Sequence, residues 1–164
     1  RWRRVLTLDP DSTVRATAAA EIPIHFSEAR PLMLQAAQYD PAPEVRANAA
    51  RGLTHGASQD EIRVLIGLLR REKDEQVQTG ILWNFQMSAT SRDTEIRDVA
   101  LEGVHDESRP VGVRRDAAAL LLHSASTRGL IEDEEQRKSL NDLFRELNSE
   151  YFRQKRERAS SSPR

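Results

Sequence analysis

Four stretches of the chain carry nearly the same line, and their spacing limits what it can fold into. Val45-Arg46-Ala47-Asn48-Ala49-Ala50-Arg51-Gly52-Leu53 follows the turn Asp40-Pro41-Ala42-Pro43. Upstream, Asp9-Pro10-Asp11 leads into Val14-Arg15-Ala16-Thr17-Ala18-Ala19-Ala20-Glu21-Ile22. Downstream, the line returns from Val77 to Phe85 and from Val113 to Leu121. The four valines are 31, 32 and 36 residues apart, and Ile22, Leu53, Phe85 and Leu121 each sit eight residues after theirs. A period of this size marks a solenoid, in which each unit is too small to bury its own apolar face and must stack on its neighbours.

In order, residues 1–8 place Trp2, Val5 and Leu6 at helical spacing and read as the end of a helix from a preceding repeat. Asp9-Pro10-Asp11-Ser12 breaks it and caps a helix over about 13–22. Pro23 ends that helix, and a second follows over about 27–39, with Pro31 in its first turn. The next pair spans about 43–53 and the segment opened by Ser58-Gln59-Asp60-Glu61, a capping-box pattern. Ile62, Leu65, Ile66 and Leu69 give that second helix an apolar stripe. A third pair is expected over about 75–87 and 93–104, the latter with Ile96, Val99 and Ala100 as its stripe. A longer connection through Pro110 and Gly112 leads to a helix over about 113–123. Residues 133–158 read as one helix of 26 residues, roughly 39 Å long. Its stripe is Leu140, Leu143, Phe144, Leu147 and Tyr151, with acids at its start and bases at its end, as the helix dipole favours. The expected organisation is thus 1–8, repeats over 9–130, a capping helix in 131–158 and a polar tail over 159–164.

Composition narrows the chemistry. Aromatic residues are only 5% and charged residues 31%, so the interior has to be built from Ala, Leu, Val and Ile. The fold class is all-α, a right-handed solenoid of about four helix pairs closed by the long C-terminal helix. A net charge of −1 argues against a nucleic-acid binder, which needs concentrated basic surface. Only Lys73, Lys138 and Lys155 stand against 22 arginines, a bias expected of a GC-rich, bacterial coding sequence. With no cysteine there is no disulfide, thiolate nucleophile or cysteine metal site. The cytoplasm is the expected compartment, although a cysteine-free chain suits the periplasm equally. No run reaches the ~18 apolar residues of a membrane span. The opening Arg1-Trp2-Arg3-Arg4, without an initiator Met, reads as an excerpt of a longer protein.

The pattern Asp-x4-Val-Arg-x2-Ala-Ala, as in Asp40…Val45-Arg46…Ala49-Ala50, resembles the HEAT-repeat superfamily. Its short period is most similar to the bacterial HEAT-like repeats of phycobilisome-lyase type. The resemblance covers about residues 9–130. It implies a polar ladder between neighbouring repeats, built from a turn Asp and an Arg six residues later. Asp9/Arg15 and Asp40/Arg46 keep that spacing, Glu72/Gln78 departs from it, and the fourth repeat has lost the Asp, so the ladder is expected to fade towards the C-terminus. The Ala-Ala pairs have a physical reason, since small residues let helices approach at the low end of ~8–10 Å.

Catalytic candidates are few. His55 and His123 lie ten residues past Val45 and Val113, with His25 one residue off that register. Equivalent positions in adjacent repeats are roughly 10 Å apart, whereas zinc ligands sit ~2 Å from the metal, so these read as turn histidines on one edge. The His-Glu dipeptides of HEAT-like metal-dependent hydroxylases are absent, as are a phosphate loop and a nucleophile elbow. Trp83 stands where other repeats have Ala20, Arg51 and Ala119, and is expected to pack, with a partner hot spot or base recognition as its alternatives.

What remains is a surface. In HEAT-like arrays the second helices usually line the concave side. At about 100° per residue, the face opposite the buried stripes comprises Gln35 and Gln38, then Asp60, Val64, Gly67 and Arg71, then Thr94, Asp98 and Leu101, and on the last helix Lys138, Asp142, Arg145 and Ser149. The expected function is a non-enzymatic scaffold that binds a protein or peptide there, with no cofactor. The rivals are a lyase- or chaperone-type protein handling a bilin chromophore, and a nucleic-acid binder.

Overall fold

The structure, a computed structural model, describes residues 2–22, 28–53, 57–88, 94–123 and 130–161. All regular structure among them is α-helix. The chain forms two compact units, residues 1–88 and 89–164.

The first unit holds α1 (Trp2–Leu8), α2 (Ser12–Glu21), α3 (Ala29–Tyr39), α4 (Pro43–Gly52), α5 (Gln59–Arg71) and α6 (Glu75–Ser88). The first helices of the repeats, α2, α4 and α6, form one layer in which each packs on the next; α1 and α3 lie across α2 and α4, and α5 backs α6. The repeated line explains the layer. Ala19, Val45, Ala49, Ala50, Val77, Ile81 and Phe85 are fully buried, and small side chains set the interhelical distance. That approach is closest at Gly80, where an added Cβ would lie 2.8 Å from the carbonyl oxygen of Ala47, backbone that cannot rotate away. Two asparagines also tie the layer together. Asn48 donates to the Ala16 carbonyl at 3.1 Å, and the fully buried Asn84 donates to the Ala50 carbonyl at 2.9 Å.

Local signals account for the helix ends. Asp11 caps α2 by accepting from the Thr13 N–H. Ser58 and Glu61 form the full capping box of α5, with both reciprocal bonds made. The stripe Ile62, Leu65, Ile66 and Leu69 is buried.

The second unit holds α7 (Thr94–His105), α8 (Val111–His123) and α9 (Glu134–Ser161). α7 and α9 both pack on α8. Ile96, Val99 and Ala100 are buried, as are Val113, Ala117, Ala118, Leu120 and Leu121. α9 runs antiparallel to α8. Phe144 meets His123 edge-on with centroids 5.9 Å apart, and seven residues later Tyr151 lies under the Arg115 guanidinium at 3.8 Å. Leu140 and Leu147 are buried, while Glu135, Lys138, Asp142 and Arg145 remain exposed. The helix continues past 158 to Ser161, because the hydroxyls of Ser160 and Ser161 bond back to the Glu157 carbonyl at 2.8 and 2.9 Å.

Candidate protein-interaction surface

Three polar joints tie neighbouring repeats of the first unit, two anchored on the first helices α2 and α4 and one between the second helices α3 and α5. Arg15 donates from Nε and Nη2 to the two carboxylate oxygens of Asp40, both at 2.9 Å, and from Nη1 to the Asp9 and Pro10 carbonyls at 2.9 and 3.3 Å. One repeat on, Arg46 makes the same set: Glu72 at 3.0 and 3.2 Å, and the Asp40 and Pro41 carbonyls at 3.0 and 3.2 Å. Gln78 keeps the backward bond, to the Glu72 carbonyl at 2.9 Å. So the arginine grips its own turn through the carbonyl six residues back and pairs with the acid of the following repeat. Glu72, which the sequence spacing marks as a departure, stays in the ladder as an acceptor. The third joint is Arg30 on α3, which forks onto Glu61 of α5 at 3.0 and 2.9 Å and reaches the Leu53 carbonyl at 3.3 Å.

The electrostatics follow the geometry. Burial works to raise the pKa of Asp40, but the bonds from Arg15 and the Ala42 N–H outweigh it and leave the carboxyl below its ordinary value. Glu61 and Glu72 follow the same pattern: burial opposes, and donors from Arg30 and Ser58, or from Asp74, Arg46 and Lys73, prevail. The hydrogen bond to Asp40 is the main cause holding the Arg15 guanidinium above its usual value.

With the stripes buried, the opposite faces of the second helices lie towards solvent. On α3, Gln35 is exposed, and Gln38 is half-buried with its amide on the Leu34 carbonyl at 3.2 Å. On α5, Asp60 and Arg71 are exposed at the two ends, and Val64 and Gly67 lie half-buried between them. A Cβ added at Gly67 would meet only the Arg71 guanidinium, at 3.8 Å. On α7, Thr94 and Asp98 are exposed and Leu101 is half-buried; on α9, Asp142 and Arg145 are exposed. Asp98 and Asp142 pair locally with Arg97 and Arg145, at 3.0 and 3.5 Å. Exposed pairs of this kind contribute little, on the order of 0–1 kcal/mol, and leave the charges available.

Sequence reasoning placed Trp83 inside, and the structure corrects this. Its ring is 42% exposed, with the Arg51 guanidinium 5.9 Å from its centroid and Met87, 40% exposed, one turn further on. The signal was in the equivalent position of the previous repeat, where Arg51 already marks a solvent-facing site. Tyr39, 72% exposed at the end of α3, was passed over; it borders a shallow groove of about 180 Å³ that also contains Gln35 and Leu32.

Residues 2–86, just over half of the chain, match the family described as HEAT repeats. The chain belongs to the HEAT-repeat family. No curated protein and no solved structure matches it. Within this HEAT chain, His25 and His55 lie outside the described residues, and His123 is exposed against Phe144. Among the described residues, no group of three or more His, Asp or Glu could hold a metal ion, and no helix is long and apolar enough to cross a membrane.

Proposed function

We propose that this HEAT-repeat chain is a non-enzymatic scaffold that binds a protein or peptide along the outward face of its second helices. HEAT repeats commonly serve as interaction scaffolds, and the family assignment supports that general reading. One observation carries the finer one. The outward face of α5 is a low apolar strip, Val64 and Gly67, bounded by an exposed acid, Asp60, and an exposed base, Arg71. A flat apolar centre between opposite charges suits an extended or helical peptide, with burial supplying affinity and the charges fixing direction. Gln35 and Gln38 extend this face on α3. In the second unit the corresponding positions are Thr94, Asp98 and Leu101, with Asp142 and Arg145 on α9.

The test compares partners captured by the natural chain with those captured by Val64→Arg and by Arg71→Glu, followed by mass spectrometry. Loss of the same partners from both variants, at unchanged helicity, is expected. Undiminished capture by both overturns the assignment of this face.

A further inference from the structure

We propose that the partner of the α5 face is an acidic amphipathic helix, which crosses α5 most closely at Gly67 and sets its carboxylates against the bases beside that strip. This rests on the reading of the α5 face as the binding surface and adds the chemistry of what binds there. Gly67 carries the close crossing. A glycine inside a helix destabilises it relative to alanine, so its presence calls for a cause. Gly80 and Gly52 have theirs in packing: an added Cβ would lie 2.8 Å from the Ala47 carbonyl oxygen and 2.5 Å from Met33 Cε. At Gly67 it would meet only the Arg71 guanidinium, at 3.8 Å. No neighbour among the described residues requires that notch. A helix laid on the surface would use it, because small residues let two helices approach at the low end of ~8–10 Å. Asp60, Val64, Gly67 and Arg71 follow one another a turn apart along one side of α5, a strip about 16 Å long.

The charges choose the sign of the partner. At about 100° per residue, Arg63 and Arg70 form a second line beside the strip, on the flank opposite Glu61, which Arg30 of α3 engages. Both are exposed, as are Arg71 at the end of the strip and Lys73 just past it. Arg63 reaches Asp60 at 3.4 Å, an exposed pair, and neither Arg71 nor Lys73 forms an ion pair with a described residue. The acids nearest to them are engaged elsewhere. Glu72 takes the Arg46 fork, and Asp74 accepts the Gln76 and Val77 N–H groups. Gln35 and Gln38 add no charge on α3. A chain with a net charge of −1 therefore turns a basic flank to solvent along this strip, and carboxylates on a partner helix complement it.

Fluorescence anisotropy of the full chain with synthetic amphipathic helices tests this, one with Glu on its polar face and analogues with Gln or Lys in its place. The Glu peptide should bind about ten-fold more tightly than the Gln peptide and weaken as salt is raised, and the Lys peptide should bind worst. Arg71→Glu with Lys73→Glu should invert the order of the Glu and Lys peptides. Gly67→Ala should raise the melting temperature, since the site is open and alanine is the better helix former, yet weaken the Glu peptide; Gly67→Leu should abolish its binding. Equal affinity for all the peptides, binding of none, or a Glu peptide indifferent to Gly67→Leu overturns the proposal. The reading beneath it fails by a different result, partners captured undiminished by Val64→Arg. If Val64→Arg removes the partners while the peptides show no charge preference, the face stands and the acidic helix does not.

Discussion

Arg15 and Asp40, 25 residues apart, meet as a two-pronged ion pair with both contacts at 2.9 Å and both side chains about nine-tenths covered. The pair joins one repeat to the next. Exposed ion pairs are worth ~0–1 kcal/mol and breaking fully buried ones costs ~3–5 kcal/mol. Asp40→Ala, which leaves Arg15 with only its carbonyl bonds, should fall between, at roughly 2 kcal/mol. Chemical denaturation of the variant and the natural chain measures it, and an unchanged midpoint would show that the ladder is ornament.

Acid should act through the same residues. Asp40, Glu61 and Glu72 all sit below their ordinary values when folded. Each therefore contributes stability that is complete above the unfolded-state pKa, around 4, and is lost as pH falls through the lower folded-state value. The melting temperature should be flat near neutrality and drop below about pH 4. Asp40→Asn should melt lower at pH 7 yet lose less on acidification; a variant whose pH profile parallels that of the natural chain would contradict this.

Gly80 sets two effects against each other. Alanine is the better helix former by about 1 kcal/mol, but its Cβ would lie 2.8 Å from the Ala47 carbonyl oxygen. Overpacking costs ~1–3 kcal/mol, so Gly80→Ala should destabilise on balance. Ala49→Leu, at a fully buried position of the same layer, should cost a similar amount. Thermal melts decide the sign, and a gain in stability from Gly80→Ala would mean that α6 can move off α4 freely.

Removing residues 133–164 should expose the side of α8 that α9 covers, on the order of several hundred Å² of apolar surface. Aggregation, or loss of cooperative unfolding in the second unit, is expected, as judged by light scattering and differential scanning calorimetry. A soluble, cooperatively melting truncation would assign α9 a docking role alone.

The helices were legible because their signals are local. The Ser58/Glu61 box, the Ile62–Leu69 stripe and the Val-to-Leu spacing each act within a turn or two of chain. The direction of the ladder was not legible. The six-residue spacing of Asp40 and Arg46 reports a bond to a carbonyl, whereas the charge partner of Arg46 is Glu72, 26 residues on. A glutamate looks like a mismatch in an aspartate column, yet its extra methylene still brings two oxygens to the guanidinium. Val64 and Leu101 were placed on the outward face by period alone and lie half-exposed there. Trp83 was misread because a large apolar ring was weighed by type, against the Arg51 that holds its place one repeat earlier.

Arg15 and Arg46 make the same bonds at their joints, two carbonyls behind and one carboxylate ahead. In this ladder the two seams are consequently interchangeable at the level of the gene. A tandem duplication of residues 40–71 by unequal crossing-over would give each new seam of the ladder an arginine facing an acid. Gln78 has no charge to offer a following acid, so copies of the third unit would lack that bond. Recombination can therefore lengthen such an array with its ladder of charge pairs intact, while the Arg30–Glu61 joint stays unique to the seam between α3 and α5.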